Sequence, residues 1–374
     1  ISQAIEDGEI GFMHLLGKRL GNSPLIEMIP DKTIIEVQRV QSDPANGITH
    51  AGCYGLAAGT RAGDDGASNY RSCTTQRLGD TPDDCYLSRW GWIGDRASLE
   101  DQVANAAHVE QNITSKEGYD RINPSATSPD QLVRYARTLC GPADLGCQES
   151  EANSDITEEE IRDMASYQRW IGIPQRSEYQ VSSATVQRGE QIFRDLGCSS
   201  CHVVDKIPFV EQDNMFPDEQ RIALKALQID SGSGTDYPFI SYLGTDLLLH
   251  DMGYLSQVAK APDGVTLRNA NGTVNVSYGA YFQPIRTPPL KGLRFNRFVT
   301  DSNHNTIRPI AKDTPAEEIV PGCDFLLHDG RACDAVEAAY LHDGPAVKAL
   351  DMIARMNQLS VEQIRSLRAF LYSL

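Results

Sequence analysis

Cys198-Ser199-Ser200-Cys201-His202 is a CxxCH sequence, and its reading decides the fold. Two thiols three positions apart can each form a thioether with a vinyl group of one haem, and the histidine beside the second thiol is then placed beneath the iron as proximal ligand. A redox CxxC or half of a zinc site are the alternatives. No thioredoxin-like βαβ pattern surrounds the motif and no second CxxC occurs, so covalently bound haem c, with one attachment site in this chain, is the expected cofactor.

Outward from the motif, the spacing predicts a helix from about Val186 to Leu196 that stops at Gly197, preceded by a polar linker from Gln175 to Thr185. Far downstream, Ser360 followed by Gln363 reads as a capping box, and Ile364, Leu367, Leu371 and Leu374 form an apolar stripe of helical period. Further helix starts are marked by Ser98 with Asp101, Ser128-Pro129 with Gln131, and Thr157 with Glu160; the last opens a weaker stripe of Ile161, Met164, Gln168 and Ile171. Little strand is expected in the loop-rich interior. The fold class is therefore mainly α with long loops.

The chain has 374 residues, and such a length favours two domains, drawn here at 1–180 and 181–374. Its net charge of −17 disfavours nucleic acid and suits basic partners, and no apolar run is long enough to span a membrane. Seven cysteines lie outside the motif: Cys53, Cys73, Cys85, Cys140, Cys147, Cys323 and Cys333. Their polar, Gly/Asp-rich surroundings favour disulfides and an oxidising compartment, so a periplasmic or otherwise exported protein is expected. No signal peptide is visible from Ile1, which implies a processed or truncated form. For the sixth iron position the downstream candidates are His250, Met252, His304, His328 and His342.

Three segments narrow that choice: Thr245 to Gly253 (TDLLLHDMG), Arg286 to Leu293 (RTPPLKGL) and Phe325 to Ala332 (FLLHDGRA). With Ile26 to Pro30, Trp90-Gly91-Trp92 and Ser98 to Thr114, they resemble, in order and over almost the whole chain, the di-haem oxidoreductase family, which is similar in turn to bacterial di-haem cytochrome c peroxidases. The resemblance implies a cytochrome c-like C-terminal domain, with Arg188 to Phe193 and the last helix as its crossed pair, and a helical peroxidase-like N-terminal domain. In the peroxidases the distal ligand lies fourteen residues after the histidine of the HDG loop, which implies His342 here, counted from His328. The metal ligands so implied are His202 and His342. His328 and Arg286 fall beside the haem propionates, His250 becomes a pocket residue, and Met252 is the second-choice ligand.

The same resemblance implies Gln102 and Glu110 as catalytic residues acting on peroxide, although they stand eight positions apart where the peroxidases have about ten. Trp92 could relay electrons between two haems or fill a core. The family normally has a first CxxCH upstream of the segment that begins this chain, so a second haem would come from a missing segment or a partner chain, unless one haem suffices. The expected function is a c-type haem redox protein that passes electrons through a His202/His342 haem to a peroxidatic or oxidising centre and meets a redox partner protein. The rivals are a non-catalytic electron-transfer cytochrome or subunit of a multi-haem complex and, more weakly, a literal thiol oxidoreductase. Calcium between the domains is compatible with the Asp and Asn loops, though no EF-hand spacing supports it.

Overall fold

The computed structural model describes residues 22–29, 31–41, 48–50, 52–55, 85–92, 94, 99–111, 113, 155–171, 176, 181–205, 207–208, 239–240, 242–259, 281–282, 285–296, 315 and 324–374. Among these the fold is mainly helical with little strand, as the sequence predicts. The helices are α1 (Ser23–Met28), α2 (Asp31–Gln41), α3 (Leu99–Gln111), α4 (Glu158–Trp170), α5 (Ala184–Asp195), α6 (Ala335–Tyr340), α7 (Pro345–Ala349), α8 (Met352–Met356) and α9 (Val361–Ser373). The strands are two to four residues long: β1 (Ile48–His50), β2 (Gly52–Gly55), β3 (Cys85–Ser88), β4 (Ile207–Pro208), β5 (Phe239–Ile240), β6 (Leu249–His250), β7 (Gln257–Ala259), β8 (Tyr281–Phe282) and β9 (Ile285–Arg286). β1, β6 and β9 form one antiparallel sheet, and β2–β3, β4–β5 and β7–β8 form antiparallel pairs.

α4 and α9 both open on capping boxes. The Thr157 hydroxyl accepts from the Glu160 amide while the Glu160 carboxylate accepts from Thr157 N, and Ser360 and Gln363 repeat the exchange, so free first-turn amides are satisfied at both ends. Of the stripe expected on α9, Leu367, Leu371 and Leu374 are buried and Ile364 is half-buried, and Phe370, outside that stripe, is buried with them. On α4 the buried face is Ile161 and Ala165, four apart, and Met164 is exposed. The expected stripe was drawn through the large apolar residue, whereas the helix turns its small alanine to the core. The helix expected at Ser128 lies outside the described residues.

The expected linker is partly built structure. Ser183 caps α5, which begins at Ala184, two residues before the expected start. Arg176 is buried: its Nε and Nη2 donate to the carbonyl and hydroxyl oxygens of Ser373, and its guanidinium lies 3.9 Å from the ring centre of Tyr242. Polar composition suggested solvent exposure, but a guanidinium that stacks on an aromatic face and meets two oxygens is a stable interior group.

Two apolar cores position the site. The first gathers Leu25, Ile26, Leu99, Val103, Ile161 and Ala165, and also Ile207, Leu243, Leu247 and Leu248 from beyond residue 181. Arg169 of α4 braces it with a bidentate pair to Glu27 of α1 (2.7 and 2.8 Å) and a contact to Glu100 of α3 (2.6 Å). Arg89 donates to the carbonyls of Ile26, Glu27 and Ile29, capping the end of α1. The second core is centred on the crossing of α5 and α9, where the Phe193 and Phe370 rings lie 5.2 Å apart.

Gly189 permits that crossing. A Cβ built there would fall 1.9 Å from the Ser366 carbonyl oxygen and 2.7 Å from Phe370 Cβ, so the helices meet backbone to backbone. Gly189→Ala must therefore separate them, at a cost of about 1–3 kcal/mol by the usual penalty for overpacking. Thermal unfolding checks this, with a clear fall in melting temperature expected for Gly189→Ala and little change for Arg188→Ala on the exposed face.

Candidate functional site

α5 ends at the left-handed Gly197 (φ 84°), a conformation that favours glycine. A 3₁₀ turn over Cys198–Ser200 follows, in which the Cys198 carbonyl accepts from the amides of Cys201 (3.3 Å) and His202 (2.9 Å). This winding brings Cys198, Cys201 and His202 to the wall of one cavity of about 390 Å³. The same cavity is bordered by Met252, Arg286, His328, His342 and Gln102, and also by His250 and Trp92.

His202 and His342 face each other across this space with ring centres 6.3 Å apart. The Nδ1 atom of His202 lies 2.9 Å from the Gly244 carbonyl oxygen, and that of His342 lies 2.6 Å from the Ala338 carbonyl oxygen. A carbonyl only accepts, so each Nδ1 carries the proton and each Nε2 keeps its lone pair, the tautomer a metal requires. Burial, and then the neighbouring His342, push His202 down to about 4 despite the Gly244 carbonyl; burial also lowers His342. Both rings are uncharged at neutral pH. Two imidazoles bound at about 2 Å to opposite sides of one metal hold their centres roughly 6 Å apart, so the pair is spaced for one ion between them.

Each histidine has its own scaffold. His202 depends on the loop before β6, where Gly244 N donates to Val203 O and Thr245 Oγ1 donates to Thr287 O. His342 follows α6, whose cap Asp334 accepts from the amides of Val336 and Glu337 and is contacted by Arg368 of α9. Its ring bonds back onto the last turn of that helix. His328 is buried on a loop closed by the Leu326–Ala332 bridge and tied to α9 by the Tyr372 hydroxyl, which donates to Asp324. Phe325 and Leu327, both just before it in the chain, have φ of 48° and 71°, strained values for side-chain-bearing residues. The Trp92 ring meets His328 edge-on at 6.2 Å, and Arg286 Nε donates to the Gly91 carbonyl.

Gln102 projects from α3 to the cavity, and its Oε1 is buried without a hydrogen-bond partner. Glu110 belongs to the same helix, but its side chain lies outside the described residues, as do that of His108 and the whole of His304. Cys73, Cys140, Cys147 and Cys323 lie outside them too, and Cys333 is disulfide-bonded.

A family model described as "di-haem oxidoreductase, putative peroxidase" matches residues 54–272, more than half of the chain. The chain belongs to the di-haem oxidoreductase family. No curated protein and no solved structure matches. Membership implies a haem cofactor and a redox role. The donor set fits a haem: paired thiols, opposed imidazoles with free Nε2 atoms, and a wall lined with Phe193, Leu255, Leu293, Leu367 and Leu371.

The residues that sequence reasoning missed are second partners. Asp246, buried, lies 2.9 Å from His250 Nε2, and Cys198 Sγ lies 3.9 Å from Met352 Sδ. The Asp-x-x-x-His spacing was visible but sits in irregular chain, where no period relates the two. Cys201, Asp246 and His250 cluster closely enough to suggest a metal site. Within this cluster Cys201 Sγ lies 3.8 Å from His250 Nδ1 and Asp246 Oδ2 lies 2.9 Å from His250 Nε2, and one donor atom from each residue lies within 4.8 Å of the other two.

Because the folded value of His202 lies below the ordinary 6.5, its contribution to stability is present above about pH 6.5 and is lost as pH falls through about 4. The chain prepared without cofactor is expected to melt at falling temperature from pH 6.5 to 4. Adding His202→Leu should flatten that dependence, measured by circular dichroism.

Proposed function

We propose that the chain is an exported c-type haem oxidoreductase, peroxidase-like, in which electrons pass through a His202/His342 haem to a peroxidatic or otherwise oxidising centre. The observation that carries the reading is the opposition of two neutral imidazoles at 6.3 Å directly beside the CxxCH turn. When bound, haem supplies one-electron redox chemistry at its iron. Cys198 and Cys201 would hold it by thioethers, and His202 and His342 would bind its iron through Nε2. Two imidazoles set a lower potential than an imidazole with a thioether would, and Met252 is the alternative ligand on the same wall. Arg286 and His328, both buried at the cavity, have the donors to steady two carboxylates.

On this reading residues 181–374 form a cytochrome c-like unit around the α5–α9 crossing. Residues 1–180 cover a second haem supplied by another segment or chain, and a redox partner protein exchanges electrons with the whole. Gln102 orients peroxide, and the Glu110 carboxylate accepts and returns its proton, the task for which a carboxylate is suited.

A second reading, a non-catalytic electron carrier or subunit of a multi-haem complex, is favoured by one observation: Gln102 and Glu110 stand eight positions apart where the peroxidases have about ten. Peroxide-dependent oxidation of a reduced donor separates the two. Turnover that Glu110→Gln lowers by 100-fold or more, in line with loss of a general acid–base group, is the expected result. Inactivity of the parent protein with full haem content supports the carrier. In either case a denaturing gel should show haem staining in the parent band and none in the Cys198→Ala/Cys201→Ala variant.

A further inference from the structure

The chain on the two sides of His342 is held differently. On the α6 side its ring meets the Ala338 carbonyl, and its amide donates to the Ala339 carbonyl at 3.2 Å. On the other side, two residues on, Gly344 caps α7 with φ 98° and ψ 171°, a conformation open essentially to glycine alone. A Cβ built on Gly344 would fall 2.2 Å from the Asp251 carbonyl oxygen, 2.7 Å from Gly253 N and 2.8 Å from the Met252 carbonyl carbon. All three are backbone atoms, so no side-chain rotation relieves the clash. The contact is mutual, since a Cβ on Gly253 (φ 56°) would meet Asp343 Oδ2 at 2.5 Å and Gly344 N at 3.0 Å. Residues 251–253 are themselves fixed: Gly253 N donates to Asp251 Oδ1 at 2.9 Å, Leu255 N donates to Met252 O at 3.1 Å, and β6 just before them pairs with β1 and β9. Two segments that both border the cavity, by Met252 and Leu255 on one and His342 and Val347 on the other, thus meet backbone to backbone.

We propose that Gly344 is a positioning residue for His342: its lack of a side chain lets the loop of His342 seat on the backbone of residues 251–253, and that seat holds the imidazole at the sixth iron position. The inference rests on the reading of His342 as an iron ligand. The Ala338 carbonyl sets the tautomer of the ring, but a loop anchored only at α6 can still swing about that end. The seat at Gly344 supplies the second anchor, against a segment that is itself held by turns and by β-pairing. Magnitudes decide that the seat matters for ligation. To bring a Cβ from 2.2 Å out to an ordinary carbon–oxygen contact, the loops must part by about 1 Å. A binding constellation tolerates only about 0.5 Å, so a single methyl group at this position moves His342 out of range.

The test uses the full chain carrying its haem. Near-infrared magnetic circular dichroism of the ferric protein reports the sixth ligand, and carbon monoxide added to the reduced protein reports whether that position is closed. Gly344→Ala is expected to lose the bis-imidazole band. In a Met252→Leu background, where no thioether can replace the histidine, it is expected to bind carbon monoxide faster by about 10-fold or more, the usual effect of losing a group that orients a metal ligand. Gly253→Ala intrudes on the same seat from the opposite side, against the movable end of Asp343, and should give the same change to a smaller degree. If Gly344→Ala does not fold, Gly253→Ala decides alone. A lower melting temperature with the bis-imidazole band and the carbon monoxide rate of the parent marks a merely structural glycine and overturns the proposal. Absence of haem from the parent, or a parent without that band, overturns the reading of His342 as ligand and this inference with it; a parent with the band whose folded glycine variants keep it overturns this inference alone.

Discussion

Two backbone carbonyls, those of Gly244 and Ala338, govern the site, because each fixes the proton of one cavity-lining imidazole on Nδ1 and leaves its Nε2 with a lone pair. Without those bonds two buried histidines would choose their tautomers freely. With them, the rings stand 6.3 Å apart as a ready pair of neutral donors. Burial alone would make the rings neutral, but only the carbonyls make them directional.

Holding those carbonyls in place is the work of the surrounding helices. The α5–α9 crossing at Gly189 delivers the CxxCH turn from one side, and the cap of α6, contacted by Arg368 of α9, delivers His342 from the other. α9 is thus common to the supports of both histidines and, through Tyr372 and Asp324, to the loop of His328. Trp90 of the first core borders the same cavity, as do Trp92 and Gln102, so residues of both halves of the chain border one space. The strain at Phe325 and Leu327 falls where His328 enters that space, and a packed frame on both sides is what sustains it.

Much of this was legible in the sequence because it depends on local rules. The Ser360–Gln363 and Thr157–Glu160 boxes mark helix starts whatever the rest of the fold does, and CxxCH defines its own turn. The grouping of His328, His342, Arg286, Met252 and Gln102 on one cavity came from family resemblance rather than from periodicity, since these residues lie in loops or on separate helices. What stayed hidden was long-range or depended on the facing side. Arg176 looked like part of a solvated linker, and only the meeting of Tyr242 and Ser373 makes it interior. Met164 looked like core because of its size, while Ala165 holds that place. Asp246 could not be assigned to His250 because no period relates residues across the irregular chain between them.

The central claim is that one haem, attached at Cys198 and Cys201, is held between His202 and His342. Near-infrared magnetic circular dichroism of the ferric protein tests it most directly, because two imidazoles and an imidazole–thioether pair give separate charge-transfer bands. The account predicts a bis-imidazole band that persists in Met252→Leu and vanishes in His342→Ala. A thioether band that survives His342→Ala and is lost in Met252→Leu would contradict it.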